Sequence, residues 1–169
     1  MPESLPVLGK STLAGFSGQS YSDIAFTVLN ELIGNEVKKD DLYDLCRDAY
    51  YFDVPLEKLD GRRYIMRLDQ GPTASFKDFA ARMMARLMSR LRDRGKRLNV
   101  LVATSGDTGS AVGEAFKGVA GIGVTILYPR GEVSGRQKKQ LDTIGQNVRA
   151  VSVSGKFDDC QNLVKQAFS

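Results

Sequence analysis

The chain has 169 residues, a net charge of +4, 42% hydrophobic residues and no histidine. That length suits one domain, or one domain with an appendage, and no apolar run approaches a membrane span. Without histidine there is no Ser-His-Asp or Cys-His pair and no His-based zinc site, so no metal site is expected and proton transfer falls to Lys, Asp, Glu, Tyr, Cys or water.

The first sixty residues read as helical. Tyr21–Leu32 carries Ile24, Val28, Leu29 and Leu32 at helical spacing, with Ser20 or Ser22 as the cap and Gly34 as the stop. Asp40–Tyr50 repeats the pattern with Leu42, Leu45 and Ala49, and Pro55 ends it. The pattern then changes. Arg63–Leu68 reads as a short strand, and Phe76–Arg94 as a long helix with Phe79, Met83, Leu87 and Leu91 on one face. Ser75 is placed to cap that helix, with Asp78 closing a box around it.

From residue 98 strand and helix alternate. Strands are expected at Leu98–Ala103, Val124–Tyr128 and Val148–Val153, and helices at Thr108–Phe116, Gly135–Ile144 and Phe157–Phe168. This order predicts an α/β fold, a parallel sheet with helices on both faces, preceded by a helical N-terminal region. The expected division is 1–60 for the helical region and 61–169 for the α/β part.

Cys46 and Cys160 are far apart and form no paired spacing. Together with the lack of a charged-then-apolar opening segment, they point to a reduced, cytoplasmic setting. Seven Arg and Lys meet one acid, Asp93, between Arg82 and Arg97. A nucleic-acid surface is one reading of that stretch, and a solvated helix face is the more ordinary one.

Two segments carry chemistry. Thr104-Ser105-Gly106-Asp107-Thr108-Gly109-Ser110 links a strand to a helix and belongs at the carboxyl end of the sheet, where such folds bind ligands. A helix start offers unpaired N–H groups and a partial positive charge, which suits a carboxylate or a phosphate. No Gly-Lys-Ser/Thr follows, so it is not a P-loop; an ordinary capped turn is the plainer alternative. In Gly71-Pro72-Thr73-Ala74-Ser75-Phe76-Lys77-Asp78, Lys77 stands in the first turn of a helix. The helix field and apolar neighbours there favour a neutral amine, hence a nucleophile for carbonyl compounds. A solvent-facing Lys paired with Asp69 or Asp78 is the alternative. Gly118-Val119-Ala120-Gly121-Ile122-Gly123 follows a helix and enters a strand, the reverse of a dinucleotide fingerprint, and reads as a connector.

Those segments, with Leu127-Tyr128-Pro129-Arg130-Gly131, Phe157-Asp158-Asp159-Cys160-Gln161 and Val164-Lys165-Gln166-Ala167-Phe168, resemble the threonine synthases. These are pyridoxal-phosphate enzymes of the tryptophan-synthase-β fold type (fold type II). The likeness spans most of residues 60–169 in order and is weaker before that. It implies conversion of O-phospho-L-homoserine and water to L-threonine and phosphate, with pyridoxal 5'-phosphate as cofactor and a small molecule as substrate. It implies Lys77 as the catalytic lysine and covalent attachment point, with Phe76 and Asp107 also facing the cofactor. It implies Thr104, Ser105, Gly106, Asp107 and Thr108 as the substrate-binding loop, and Arg130 as a partner for the substrate phosphate. Relatives often carry Asn at position 107, and a carboxylate there must share a proton with the cofactor's phenolic oxygen. Gln70 stands where many relatives have His, so no role of that His carries over.

The family's Gly-Asn-rich phosphate loop and its hydroxyl partner for the pyridine nitrogen fall later than Ser169, and Met1-Pro2-Glu3-Ser4-Leu5-Pro6 resembles an internal segment. The expectation is a truncated piece of a longer enzyme, inactive when isolated. The alternatives are a phospho-lyase or dehydratase of the same fold, or a non-catalytic module that binds an anion or a protein.

Overall fold

The computed structural model describes residues 5–34 and 36–169. Most of the opening hexapeptide singled out above, Met1–Ser4, lies outside the described residues. The chain divides into two compact units at Arg67/Leu68.

The first unit holds α1 (Lys10–Gly15), α2 (Tyr21–Ile33), α3 (Lys39–Ala49), β1 (Leu56–Asp60) and β2 (Arg63–Met66). The Ser20 hydroxyl accepts the Asp23 N–H and caps α2, and Gly34 ends it at a positive φ of 61°. Helices α2 and α3 pack together, with Phe26 edge-on to Tyr43 at 5.3 Å between ring centroids. Strands β1 and β2 form an antiparallel hairpin. The segment before residue 61 is therefore not wholly helical. All nine strand residues are exposed, so no inside–outside alternation marks them in the sequence.

The second unit holds α4 (Lys77–Leu91), β3 (Leu98–Ala103), α5 (Asp107–Phe116), β4 (Ile122–Pro129), α6 (Gly135–Asp142), β5 (Val148–Val153) and α7 (Phe157–Gln166). The sheet order is β3-β4-β5, and both pairings are parallel. Right-handed crossovers put α5 and α6 on one face. Helix α7 packs back over β3 and β4, which places it on the other. Strand β4 is accordingly buried almost throughout, while β3 is mostly half-buried at a sheet edge.

The core joins Ala81 and Ala85 of α4, Ala111, Val112, Ala115 and Phe116 of α5, and Ile122, Val124 and Ile126 of β4. The α4 face that enters it is the small-residue stripe through Ala81 and Ala85, while Leu91 at the end of the expected stripe is 57% exposed. Small side chains bring α4 close against α5, its main packing partner. Among the described residues no helix is long and apolar enough to cross a membrane.

Candidate active site

The carboxyl edge of the sheet is built from two tight turns. In the first, the fully buried Asp78 carboxylate accepts the Thr73 N–H at 2.9 Å and the Thr73 hydroxyl at 2.7 Å. Those two bonds, with the positive end of α4, compensate a charge taken out of water. They fold residues 71–75 back onto the helix. Gly71 lies so close that a Cβ there would stand 2.8 Å from that of Asp78. Ala74 takes a left-handed φ of 54°, unusual for a residue with a side chain.

The expected box between Ser75 and Asp78 does not form, because Asp78 is spent on Thr73. The α4 start is Lys77, capped from Phe76 without a side-chain bond, and the Ser75 hydroxyl accepts the Lys77 N–H at 3.3 Å.

In the second turn the Thr104 hydroxyl oxygen accepts the Gly106 N–H at 3.0 Å and the Gly109 N–H at 2.8 Å. Thr104 is 1% exposed, and Ser110, 2% exposed, donates to the Gly106 carbonyl. Both side chains brace the loop from inside. Gly106 adopts φ 143°, ψ −80°, a conformation reserved for glycine. Ser105, Asp107 and Thr108 are exposed around it. The loop's internal bonds use the amides of Gly106 and Gly109 and leave those of Ser105, Asp107 and Thr108 for a ligand at the α5 start.

The two turns meet through Lys77 and Asp107, with Nζ 3.7 Å from the carboxylate oxygen Oδ2. Lys77 keeps 30% of its side chain exposed, and its ammonium also lies 4.2 Å from the centre of the Phe76 ring. Lys77 therefore pairs with neither Asp69 nor Asp78; Asp69 instead accepts a bond from Gln70 at 3.0 Å.

The other oxygen of Asp107 is held by Gln137, whose Nε2 donates at 2.9 Å. Gln137 is itself fixed at the start of α6. Its backbone N–H donates to the Ser134 hydroxyl, and its side-chain oxygen accepts the Ser134 N–H. It packs so tightly on Gly106 that a Cβ there would overlap its amide. The sequence reading did not single out Gln137. Ser-x-x-Gln spacing is a local signal for a helix start, but a bond spanning thirty residues depends on how α6 returns beside α5.

Arg130 follows β4 at the same edge, exposed, with its N–H bonded to the Val153 carbonyl at 2.8 Å. An amine, a carboxylate beside it and a set of free helix-start amides thus gather at one edge of the sheet, with Arg130 following β4 at that edge. This set suits a small molecule with a carbonyl or amine at one end and acid groups at the other.

The family model for pyridoxal-phosphate-dependent enzymes matches residues 22–169. The chain belongs to this family. It is 38% identical, over 99% of its length, to a threonine synthase of Buchnera aphidicola subsp. Acyrthosiphon pisum, and 45% identical over 83% of its length to one of Haemophilus influenzae. Its fold matches the crystal structure of pyridoxal-phosphate-bound threonine synthase from Brucella melitensis with a TM-score of 0.91 at 39% identity over 99% of the chain. The chain spans 39%, 33% and 38% of those three proteins respectively. The residues present in this family member fit the reactive end of the cofactor. Lys77 offers a partly exposed amine, and Asp107 offers a fixed carboxylate next to it.

Proposed function

We infer that the chain is part of a threonine synthase, which converts O-phospho-L-homoserine and water to L-threonine and phosphate in the cytoplasm. The observation that carries this reading is the Lys77–Asp107 pair at 3.7 Å, which brings the amine of one turn to the anion-binding loop of the other.

Lys77 is the residue that holds pyridoxal phosphate, with Phe76 and Asp107 beside it. When bound, the cofactor supplies an electron sink for charge that develops on the substrate carbons. The chain's own residues bind, orient and handle protons. The amides of Ser105, Asp107 and Thr108 receive the substrate carboxylate at the positive end of α5. Thr104 and Gly106 give that loop its shape. The Lys77 Nζ takes and returns protons at the substrate carbons, and the Asp107 carboxyl group lies next to that nitrogen. Gln137 fixes which Asp107 oxygen faces it. Arg130 is suited to the substrate phosphate, since its planar fork bonds two oxygens at once.

The test uses the full-length protein with O-phosphohomoserine. Threonine and phosphate are expected in equal amounts. Lys77→Ala is expected to lower turnover roughly 10³-fold or more and to remove the near-visible absorbance that added pyridoxal phosphate otherwise gains on binding. Phosphate released with 2-ketobutyrate and no threonine would replace this reading with a phospho-lyase. An unchanged spectrum in Lys77→Ala would remove the lysine from the site.

A further inference from the structure

The glycine-rich connector that is not a dinucleotide fingerprint has a different use. Gly121 precedes β4 at φ +74°, and a Cβ there would stand 2.6 Å from the Arg92 guanidinium carbon. Gly123, on β4, has the Arg97 guanidinium 3.4 Å from its own Cβ position and the Asn99 side-chain oxygen at 3.0 Å. Arg92, just after α4, and Arg97, just before β3, thus lie close against glycine backbone. They line a cavity of about 440 Å³ together with Arg94, Lys96, Gly118, Val119, Gln146 and Asn147. A second cavity of about 230 Å³ shares Arg97 and Asn147 and adds Arg149. Both sit at the amino ends of the strands, opposite the Lys77 edge.

No Asp or Glu lines either cavity among the described residues. Arg92 Nε is buried with no hydrogen-bond partner, and its Nη1 makes only long contacts, 3.5 Å to the Asp93 carbonyl and 3.4 Å to that of Lys96. The ordinary explanation for such cations is the negative end of a helix. Its magnitude falls short. The ends of α4, α5 and α6 bring about −0.5 each. Asp93, turned onto the Gly95 N–H, brings one more negative charge. Four cations line the larger cavity, so the helix ends and Asp93 offset only part of their charge; Arg94, Lys96 and Arg97 are exposed and solvated, and Arg92 is the half-buried one with an unpartnered nitrogen.

We propose that this cavity is a binding site for a small phosphoanhydride anion, two linked phosphoryl groups being held by Arg92 and Arg97, with Arg94 and Lys96 also lining the cavity. Guanidinium forks match phosphoryl oxygens two at a time, which single ammonium groups do not. A concave pocket suits a compact anion, whereas nucleic acid needs a continuous basic stripe. The buried Arg82 breaks such a stripe along α4. The site is separate from the Lys77 chemistry, so either reading can fail alone.

The experiment is calorimetric titration of the full-length protein with pyrophosphate at fixed ionic strength. Saturable one-to-one binding is expected, with inorganic phosphate and sulfate much weaker. Arg97→Gln is expected to weaken it about tenfold or more, the loss of a charge-assisted bond. The pair Arg94→Gln with Lys96→Gln alters exposed side chains and leaves the packed ones in place, so it tests the charge without risking the fold. Lys77→Ala is expected to bind pyrophosphate like the unaltered protein. Absence of saturable heat overturns the proposal, as does affinity unaffected by the Arg94/Lys96 pair. Tighter, equally Arg97-dependent binding of single-stranded DNA overturns it in favour of nucleic acid.

Discussion

The two edges of the parallel sheet use one device for opposite ends. At the carboxyl edge Gly106 lets the Gln137 amide press on the backbone, and Gln137 then holds Asp107 beside Lys77. At the amino edge Gly121 lets the Arg92 guanidinium press on the backbone, among further cations. At one edge a cation, Lys77, meets an anion, Asp107; at the other the residues lining the cavity carry charge of one sign. A missing Cβ in a parallel α/β unit thus marks where a side chain must approach the chain, and the charge of that side chain decides what the edge attracts.

If the amino edge is held by neutral bonds and the arginines serve a ligand, the two are separable. Asn147 is the holding residue. Its Nδ2 donates to the Phe116 carbonyl at 2.9 Å and the Ile122 carbonyl at 2.7 Å, and its side-chain oxygen accepts the Gly118 N–H at 2.7 Å. Asn147→Ala strands two partly buried carbonyls and the exposed Gly118 N–H, and is expected to cost about 2–3 kcal/mol. The Arg94→Gln, Lys96→Gln pair is expected to stay within about 0.5 kcal/mol. Denaturant midpoints check both. Equal losses would make the cations structural and erase the contrast.

The carboxyl edge breaks at Gly106. Gly106→Ala must relieve a φ of 143° and also displace the Gln137 amide. The expected loss is about 1–3 kcal/mol for strained backbone, and Lys77 loses its fixed carboxylate. The second effect is read as a changed rate of Lys77 labelling by an amine reagent at one fixed pH. A midpoint loss with an unaltered labelling rate would show that Gln137 does not position Asp107.

Much of this was legible in the sequence, for identifiable reasons. Leu98–Ala103 and Val148–Val153 are strands at the expected residues, because apolar runs bounded by polar turns leave little choice. Ser20 and Gly34 bound α2 as expected, since cap and stop are local events. Lys77 and the 104–110 loop drew attention by residue type at helix starts. Other features depend on distant packing. Asp78 looked like a partner for Ser75 and bonds Thr73, because the turn folds back. Gln137 and Asn147 make bonds that span thirty residues or so, which no local pattern announces. The Gly118–Gly123 connector showed its glycines but not the arginines lying on them.

The smallest effect concerns the helix that supplies Gln137. The next residue, Lys138, bonds the Asp142 carboxylate, which also accepts the Tyr128 hydroxyl at 3.0 Å. The Lys138 ammonium first, and Tyr128 after it, hold the Asp142 carboxyl below its ordinary value of 3.8. A depressed carboxyl binds fewer protons folded than unfolded, so its contribution is present above that ordinary value and is lost as pH falls through the folded value. The pair is about a third exposed or more, so solvent screening limits its worth to a few tenths of a kcal/mol. Asp142→Asn is therefore expected to lose that much at neutral pH and to show a shallower fall in stability on acidification below about pH 4. Urea midpoints across that range read the difference. Superimposable acid profiles would mean that pairing on α6 contributes nothing, and the contrast between the two edges would then rest on Lys77 and Asp107 alone.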